Sequence, residues 1–245
     1  MSRRRFYVPR DSIREGIATL PPGQAHHLRD VLRLRTGDVV EVFDGEGKGY
    51  VGEVELQNSG VFVRSLQSLP SEGLTDRLIL AAALIKSAKF EWMLQKTTEL
   101  GVSEIVPLRT SFSDIKLSEG RITLRLERWD RIVREAAKQC GRYSAPRLHE
   151  PLGFSEFLGR KELSACTRLL FDPKAVDPWL PGKSPLPDKT ALCIGPEGGW
   201  ESGEIEQAER AGFKAFNLGP WTLRAETAAV AAVAIIQHQI HLLRK

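Results

Sequence analysis

From Phe6 to about Leu69 the chain consists of short runs in which apolar and polar positions alternate, VVEVFD, GYVGEVEL and GVFVRSL, parted by glycine-rich turns such as GEGKG. A period of two broken by tight turns predicts strands, and their close spacing predicts a small antiparallel barrel or sheet. His26 to Leu34 departs from the alternation: Leu28, Val31, Leu32 and Leu34 fall near helical spacing with polar residues between them, which predicts a short helix. LPSEGLTD, Leu69 to Asp76, is dense in turn formers and reads as a linker. It divides the chain into an N-terminal domain, residues 1–70, and a C-terminal domain, residues 71–245.

Beyond the linker the texture changes. RLILAAAL (77–84) is a continuous apolar run of the kind a strand buried on both faces requires, and after Lys89 the pattern turns helical, with Phe90, Met93, Leu94, Thr97 and Leu100 on one side and Gly101 as the stop. EIVPL (104–108) predicts the next strand, a basic helix follows from about Arg121 to Cys140, and RLLF (168–171) predicts a third strand ending at Asp172-Pro173. Strands alternating with helices predict a parallel α/β sheet. AVDPWLPGKSPLPDK is so rich in proline that it reads as an irregular surface loop. The stretch 191–228, ALCIGPEGGWESGEIEQAERAGFKAFNLGPWTLRAETA, reads as strand, glycine-rich turn, amphipathic helix, short strand, Gly-Pro turn and the start of an alanine-rich helix running from about Arg224 to Leu243. The small face of that helix suits either intramolecular packing or a subunit contact.

Composition narrows the class. With 245 residues, 42% hydrophobic and 27% charged, the chain has the make-up of an ordinary globular protein of one large or two modest cores. No apolar run reaches the roughly 18 to 20 residues that span a bilayer, and MSRRRF leads into no signal-peptide core, so a cytoplasmic protein is expected. Cys140, Cys166 and Cys193 are widely spaced with no CxxC pair, which predicts reduced, buried thiols and no metal site. A net charge of +4 is compatible with a polyanionic partner. The arginines also cluster, at Arg3, Arg4 and Arg5, at Arg29, Arg33 and Arg35, and along the helix from Arg121 to Arg134. Gly182-Lys183-Ser184 fails as a phosphate loop, because Asp177 stands where a Walker motif needs glycine and Pro185 and Pro187 forbid the following helix. No GxGxxG fingerprint is present either, so nucleotide hydrolysis and hydride transfer are disfavoured.

In parallel α/β folds, ligands gather at the carboxyl ends of strands. Three turns meet that requirement: Phe171 to Pro173, Gly195 to Gly199, and Leu218 to Arg224. Without a Cβ, the glycines at 195, 198 and 199 let the backbone come close to a bound molecule. The carboxylates nearest these turns are Glu197 and Glu226, apart from Asp172 and Glu201.

GPEGG at 195–199 with NLGPWTLRAETA at 217–228 resembles the signature of the SPOUT class of RNA methyltransferases, specifically the RsmE type. HHLRDVLRLRTGD from His26, IKSAKFEWMLQKTTELGVSEIVPL from Ile85 and REAAKQCGR from Arg134 resemble further blocks of that family, so the likeness covers most of the chain. The resemblance implies a small N-terminal PUA-like β-barrel followed by a SPOUT α/β domain with a C-terminal trefoil knot, and a homodimer with active sites beside the interface. It also implies S-adenosylmethionine as methyl donor and N3 of a uridine in 16S ribosomal RNA, free or in the small ribosomal subunit, as target.

On that basis the cofactor-binding residues expected are Leu170, Phe171, Ile194, Gly195, Pro196, Glu197, Gly198, Gly199, Leu218, Gly219, Leu223, Arg224, Thr227 and Ala228. The candidates for catalysis are Arg224, which could stabilise the uracil oxygens, and Glu226 and Glu197, which could take the imide proton. Each has a structural alternative: an ion pair for Arg224, a helix brace for Glu226, turn hydrogen bonds for Glu197. The residues expected to face RNA are Arg3, Arg4, Arg5, His27, Arg29, Arg33, Lys86, Lys89, Arg134 and Arg142, with a solvated surface as the alternative. Methylation of a ribose hydroxyl or of guanine, or a non-catalytic role in ribosome assembly, stays open.

Overall fold

A computed structural model describes residues 4–69, 78–113, 119–179 and 189–242. The chain divides into two compact units, one holding Met1–Leu74 with Ala137–Ala145 and the other Thr75–Ala136 with Pro146–Lys245. All but the first residue of the expected linker, the GKS segment and Arg3 lie outside the described residues.

The first unit is a six-stranded sheet formed by β1 (Arg5–Tyr7), β2 (Ile13–Arg14), β3 (Ile17–Thr19), β4 (Val39–Phe43), β5 (Gly49–Gln57) and β6 (Gly60–Ser68), in the order β1-β4-β5-β6-β3-β2. The long β5–β6 hairpin and its neighbours are antiparallel as the alternation predicts, but β1 runs parallel to β4, so the sheet is mixed. One face of each strand supplies the core, with Phe6, Ala18, Val40, Val42, Val54, Val61 and Val63 buried. The expected helix starts earlier than its apolar spacing suggested. Helix α1 (Pro22–His26) opens on a proline at its first position and continues as a π-helical turn from His27 to Val31. Proline there costs no hydrogen bond, because the first N–H groups of a helix have no partner within it. Only Leu28 of that turn is buried, while Val31 stays 59% exposed.

The second unit carries an all-parallel sheet of β7 (Leu78–Ala83), β8 (Glu104–Arg109), β9 (Arg147–Leu148), β10 (Leu152–Gly153), β11 (Thr167–Phe171), β12 (Thr190–Ile194) and β13 (Lys214–Phe216), in the order β10-β8-β7-β12-β11-β13 with β9 also against β8. The strands that read as unbroken apolar runs are central: every residue of β7 and of β12 is buried. Helices α2 (Ser87–Glu99), α3 (Glu119–Cys140), α4 (Phe154–Leu158), α5 (Ser202–Arg210) and α6 (Ala225–Leu242) complete the unit, apart from the end of α3, which belongs to the first. Helix α2 buries Phe90, Met93, Leu94, Thr97 and Thr98 and packs on α6, where Ala229, Ala232 and Val233 are fully buried. Leu100, expected on that face, is only half-buried because the helix ends at Glu99 and Gly101 turns the chain with φ +94°. Cys166 and Cys193 are buried free thiols whose burial raises their pKa, but Cys140 is exposed, since the apolar face of α3 ends at Ala137.

Candidate active site at the carboxyl ends of the parallel strands

Register places the site. Phe171 at the end of β11 stands opposite Ile194 of β12 and Phe216 of β13, so the turns that follow these strands leave from one end of the sheet. They surround a cleft of about 470 Å³ lined by Phe171, Pro173, Ile194, Gly195, Pro196, Glu197, Gly199, Trp200, Thr222, Leu223, Arg224, Ala225 and Ala228, with Lys89 reaching in from α2. A smaller cavity of about 40 Å³, bounded in part by Leu218, Gly219, Asp172 and Trp221, shares Phe171, Pro173, Leu223 and Ala228 with it.

The turns are held by contacts that the glycine pattern alone does not reveal. Trp200 Nε1 donates to the carbonyl of Phe171 at 3.0 Å, tying the turn after β12 to the end of β11. A Cβ on Gly195 would lie 2.9 Å from that indole nitrogen, so glycine here lets the turn close on Trp200. A Cβ on Gly198 would meet Phe112 Cβ at 2.9 Å, so Gly198 is needed where the backbone passes another part of the protein. The segment carrying Phe112 is in turn fastened to the start of α5: Ser111 N donates to Glu204 Oε1 at 2.9 Å and Ser111 Oγ to Glu201 Oε2 at 2.7 Å, while Glu201 and Glu204 form a reciprocal capping box. Asn217 links the remaining two turns. Its Nδ2 donates to the Ala175 carbonyl at 2.8 Å and its Oδ1 accepts from Gly219 N at 3.0 Å. Trp200 and Asn217 were missed in the sequence; the available signal was a tryptophan directly after the glycine turn and an Asx residue two places before a glycine.

Three charged groups at this end belong to one cluster. Lys89 Nζ pairs with Glu197 Oε1 and lies 4.0 Å from Glu226 Oε1. The hydrogen bond from Lys89 is the main cause that holds the Glu197 carboxyl below the usual range, with Lys86 and Arg224 adding their charge. Glu226, in the first turn of α6, is buried, and its Oε2 has no hydrogen-bond partner among the described residues. Arg224, just before the helix, is exposed and lines the cleft.

Of the residues expected to bind cofactor, Phe171, Ile194, Gly195, Pro196, Glu197, Gly199, Leu223, Arg224 and Ala228 line the cleft, and Leu218 and Gly219 line the smaller cavity. Leu170 is a core residue of β11, Gly198 faces Phe112, and Thr227 is exposed outside the lining. The residues expected to face RNA divide into two kinds. Arg4, Arg29, Arg33, Lys86 and Arg134 are exposed, although Arg29 pairs with Asp30 at 3.2 Å and Arg134 with Asp130 at 2.6 Å. Arg5 and Arg142 are built into the first unit: Arg5 lies 3.5 Å from Glu41 and over the Phe43 and Tyr143 rings, and Arg142 is buried. His27 is half-buried in an edge-type contact with the Phe6 ring, and Lys89 belongs to the cleft.

Comparison with known proteins agrees with this arrangement. The RNA methyltransferase domain family matches residues 72–237, and the RNA methyltransferase PUA domain family matches residues 20–64. Ribosomal RNA small subunit methyltransferase E of Synechocystis sp. is 36% identical over 236 residues, covering 95% of this chain and 76% of that protein. The chain belongs to the ribosomal RNA small subunit methyltransferase E family. The Bacillus subtilis member is 30% identical, with 90% of each chain covered. The crystal structure of the Neisseria gonorrhoeae member, bound to S-adenosyl methionine, superposes with a TM-score of 0.86 at 30% identity, covering 97% of this chain and 98% of that one. The two units of this family member are thus an N-terminal PUA-like domain and a C-terminal SPOUT α/β domain. Among the described residues no helix is long and apolar enough to cross a membrane, and no cluster of metal-ligating side chains occurs.

Proposed function

We propose that this protein transfers a methyl group from S-adenosylmethionine to N3 of a uridine in 16S ribosomal RNA, working as a cytoplasmic homodimer. The observation that carries the reading is the convergence of three turns and one lysine on a single cleft at the carboxyl end of a parallel sheet. The C-terminal trefoil knot implied by the family resemblance is part of the same reading.

The residues present fit the donor. A cleft of about 470 Å³ lies within the range of small-ligand sites, roughly 300–1,000 Å³. Its walls combine apolar side chains, Phe171, Ile194 and Leu223, with small or absent ones at Gly195, Gly199, Ala225 and Ala228, which let a flat purine approach the main chain. These residues would hold the donor, which supplies an electrophilic methyl group. The chain has two further tasks. The imide N3 of uracil is mostly protonated at neutral pH, so its proton must go to a base, for which Glu226 and Glu197 are the candidates. Negative charge then develops on the uracil oxygens, and Arg224, an exposed residue of the cleft lining, is the candidate to stabilise it.

Mass spectrometry of 16S ribosomal RNA nucleosides from a strain lacking the protein tests the reading. Loss of 3-methyluridine, restored by the wild-type protein, is expected. Unchanged 3-methyluridine, with loss of a ribose-methylated or guanine-methylated nucleoside instead, would move the activity to another target.

A further inference from the structure

The cleft has two aromatic walls, and both are engaged within the protein. Phe171 and Trp200 are buried, Trp200 Nε1 donates to the Phe171 carbonyl, and the Trp200 ring packs on Phe154 with 4.8 Å between centroids. Trp221 is the opposite case. It is 79% exposed, and whereas Trp129, Trp179 and Trp200 each pack on another ring, Trp221 has no ring partner among the described residues. The backbone, not side-chain packing, fixes where this indole stands: Asn217 Oδ1 accepts from Gly219 N at 3.0 Å, Gly219 takes φ +126°, which residues with a side chain rarely adopt, and Pro220 restricts the next φ. The ring stands beside the site. Trp221 bounds the smaller cavity, which shares Phe171, Pro173, Leu223 and Ala228 with the cleft, and Arg224, in the same turn, lines the cleft itself. An indole held open in this way leaves a large apolar face in water, and a flat ligand laid on it would remove that face from solvent.

We propose that Trp221 is the stacking surface for the target uracil and holds the base beside the cleft, in the turn that also carries Arg224. The inference rests on the functional reading above. N3 lies on the Watson–Crick edge of uracil, so a uridine methylated there must be unpaired, and an enzyme that works on such a base takes it out of the stack and covers its faces with aromatic or apolar side chains. Uracil is flat and uncharged, and stacking on an aromatic side chain is the contact that holds it without an ion pair. Every base has a π face, so the indole supplies affinity and orientation while the choice of uracil falls to groups that meet its edge. Arg224, exposed and three positions on, is such a group. The methyl donor is a poorer occupant for the ring, because Trp221 is not among the residues that line the larger cleft.

The test uses the whole protein loaded with S-adenosylhomocysteine, so that binding is read without methyl transfer. Tryptophan emission is followed as a short oligouridylate is added, with a ribose-phosphate oligomer that lacks bases as the control. Stacking on uracil should quench the wild-type protein, the control should not, and Trp221→Phe should lose the quench, which singles out Trp221 among the five tryptophans. Affinity for small ribosomal subunits from a strain lacking the protein should fall about fivefold or more in Trp221→Ala, the scale of one stacked base, and kcat/KM for methyl transfer should fall with it. Trp221→Phe and Trp221→Tyr should keep affinity within about threefold of wild type, whereas Trp221→Leu, apolar but without a π face, should resemble Trp221→Ala. Calorimetric affinity for S-adenosylmethionine should stay within about twofold in all four variants. No quench, a quench that persists in Trp221→Phe, an equal quench by the base-free oligomer, or rescue by Trp221→Leu as complete as by Trp221→Phe would overturn the proposal. So would a loss of donor affinity of about tenfold, which would make Trp221 part of the donor site, or a change in sedimentation coefficient in Trp221→Ala, which would give the ring to a second copy of this chain. If the wild-type protein transfers no methyl group to uridine N3, the functional reading fails, and the emission titration still decides whether Trp221 stacks on a base.

Discussion

Two charged clusters lie at strand ends of the parallel sheet, and they are built in opposite ways. At the carboxyl ends, Lys89 pairs with two carboxylates, one of them buried with an oxygen that has no hydrogen-bond partner among the described residues, beside an open cleft. At the amino end of β8, Glu104 accepts from His149 Nε2 at 2.8 Å and lies 3.7 Å from Arg160, which in turn pairs with Glu162 at 2.9 Å. The second cluster is largely buried and its acid is satisfied, although Arg160 Nη1 has no hydrogen-bond partner among the described residues, and it joins β8 to the segments after β9 and before β11. A hydrogen-bonded buried acid rigidifies the elements it joins, whereas the cleft cluster sets its charged groups beside space that a ligand can enter. The comparison therefore separates a candidate site for chemistry from a staple, even though both contain a glutamate and a cation.

The largest expected effect falls on the cleft. Arg224→Ala should lower kcat by about a hundredfold or more with little change in RNA affinity, as for loss of one donor to developing negative charge. Steady-state kinetics check this, and a change confined to RNA affinity would move Arg224 to substrate docking. Next comes the staple. Glu104→Gln should destabilise the fold by about 1–3 kcal/mol, the scale for a hydrogen-bonded charge losing its partner, and leave kcat unchanged. Its pH dependence has a definite sign. The hydrogen bond from His149, with the charges of His149, Arg160 and Arg147, holds the Glu104 carboxyl below its ordinary value against the opposing effect of burial. The stability it confers is thus fully present above the unfolded carboxyl's pKa, roughly 4.3, and is lost as pH falls through the lower folded value. Denaturant titrations of wild type and variant should converge below that point.

These two clusters also show what the sequence could and could not reveal. Glu197, Glu226 and Arg224 stand out because they sit in turns rich in glycine and proline, a local signal, and the buried strands stand out because β7 and β12 are apolar throughout. The Lys89–Glu197 pair spans 108 positions, and Glu104 meets His149 across 45, so neither pairing leaves a trace in spacing. The same limit hid the fate of Arg5, which reads as part of a cationic cluster until Glu41 on the neighbouring strand and the rings of Phe43 and Tyr143 take it up. The early start of α1 was hidden differently: its first residues, Pro22 and Gly23, resemble a turn until a proline at the first helical position is considered.

The smallest effects are expected in the N-terminal unit, and they sharpen the distinction between an exposed cation and one already paired. Arg4→Ala should weaken RNA binding modestly and reduce the salt slope by roughly 0.7 to 0.9, one phosphate contact's worth. Arg5→Ala should instead lower the melting temperature while leaving that slope unchanged, because its guanidinium is engaged within the unit. Binding isotherms at several salt concentrations, with thermal melts of the same variants, separate the two.

The central claim is that chemistry belongs to the cleft cluster and stability to the other. It is tested most directly by single-turnover methyl transfer to small-subunit ribosomal RNA, comparing Glu226→Gln with Glu104→Gln, both at saturating S-adenosylmethionine. The account predicts a loss of about a hundredfold or more in the rate for Glu226→Gln, the scale of a missing general base, and a wild-type rate for Glu104→Gln. Equal rates in the two variants, or a slow Glu104→Gln beside a normal Glu226→Gln, would contradict it.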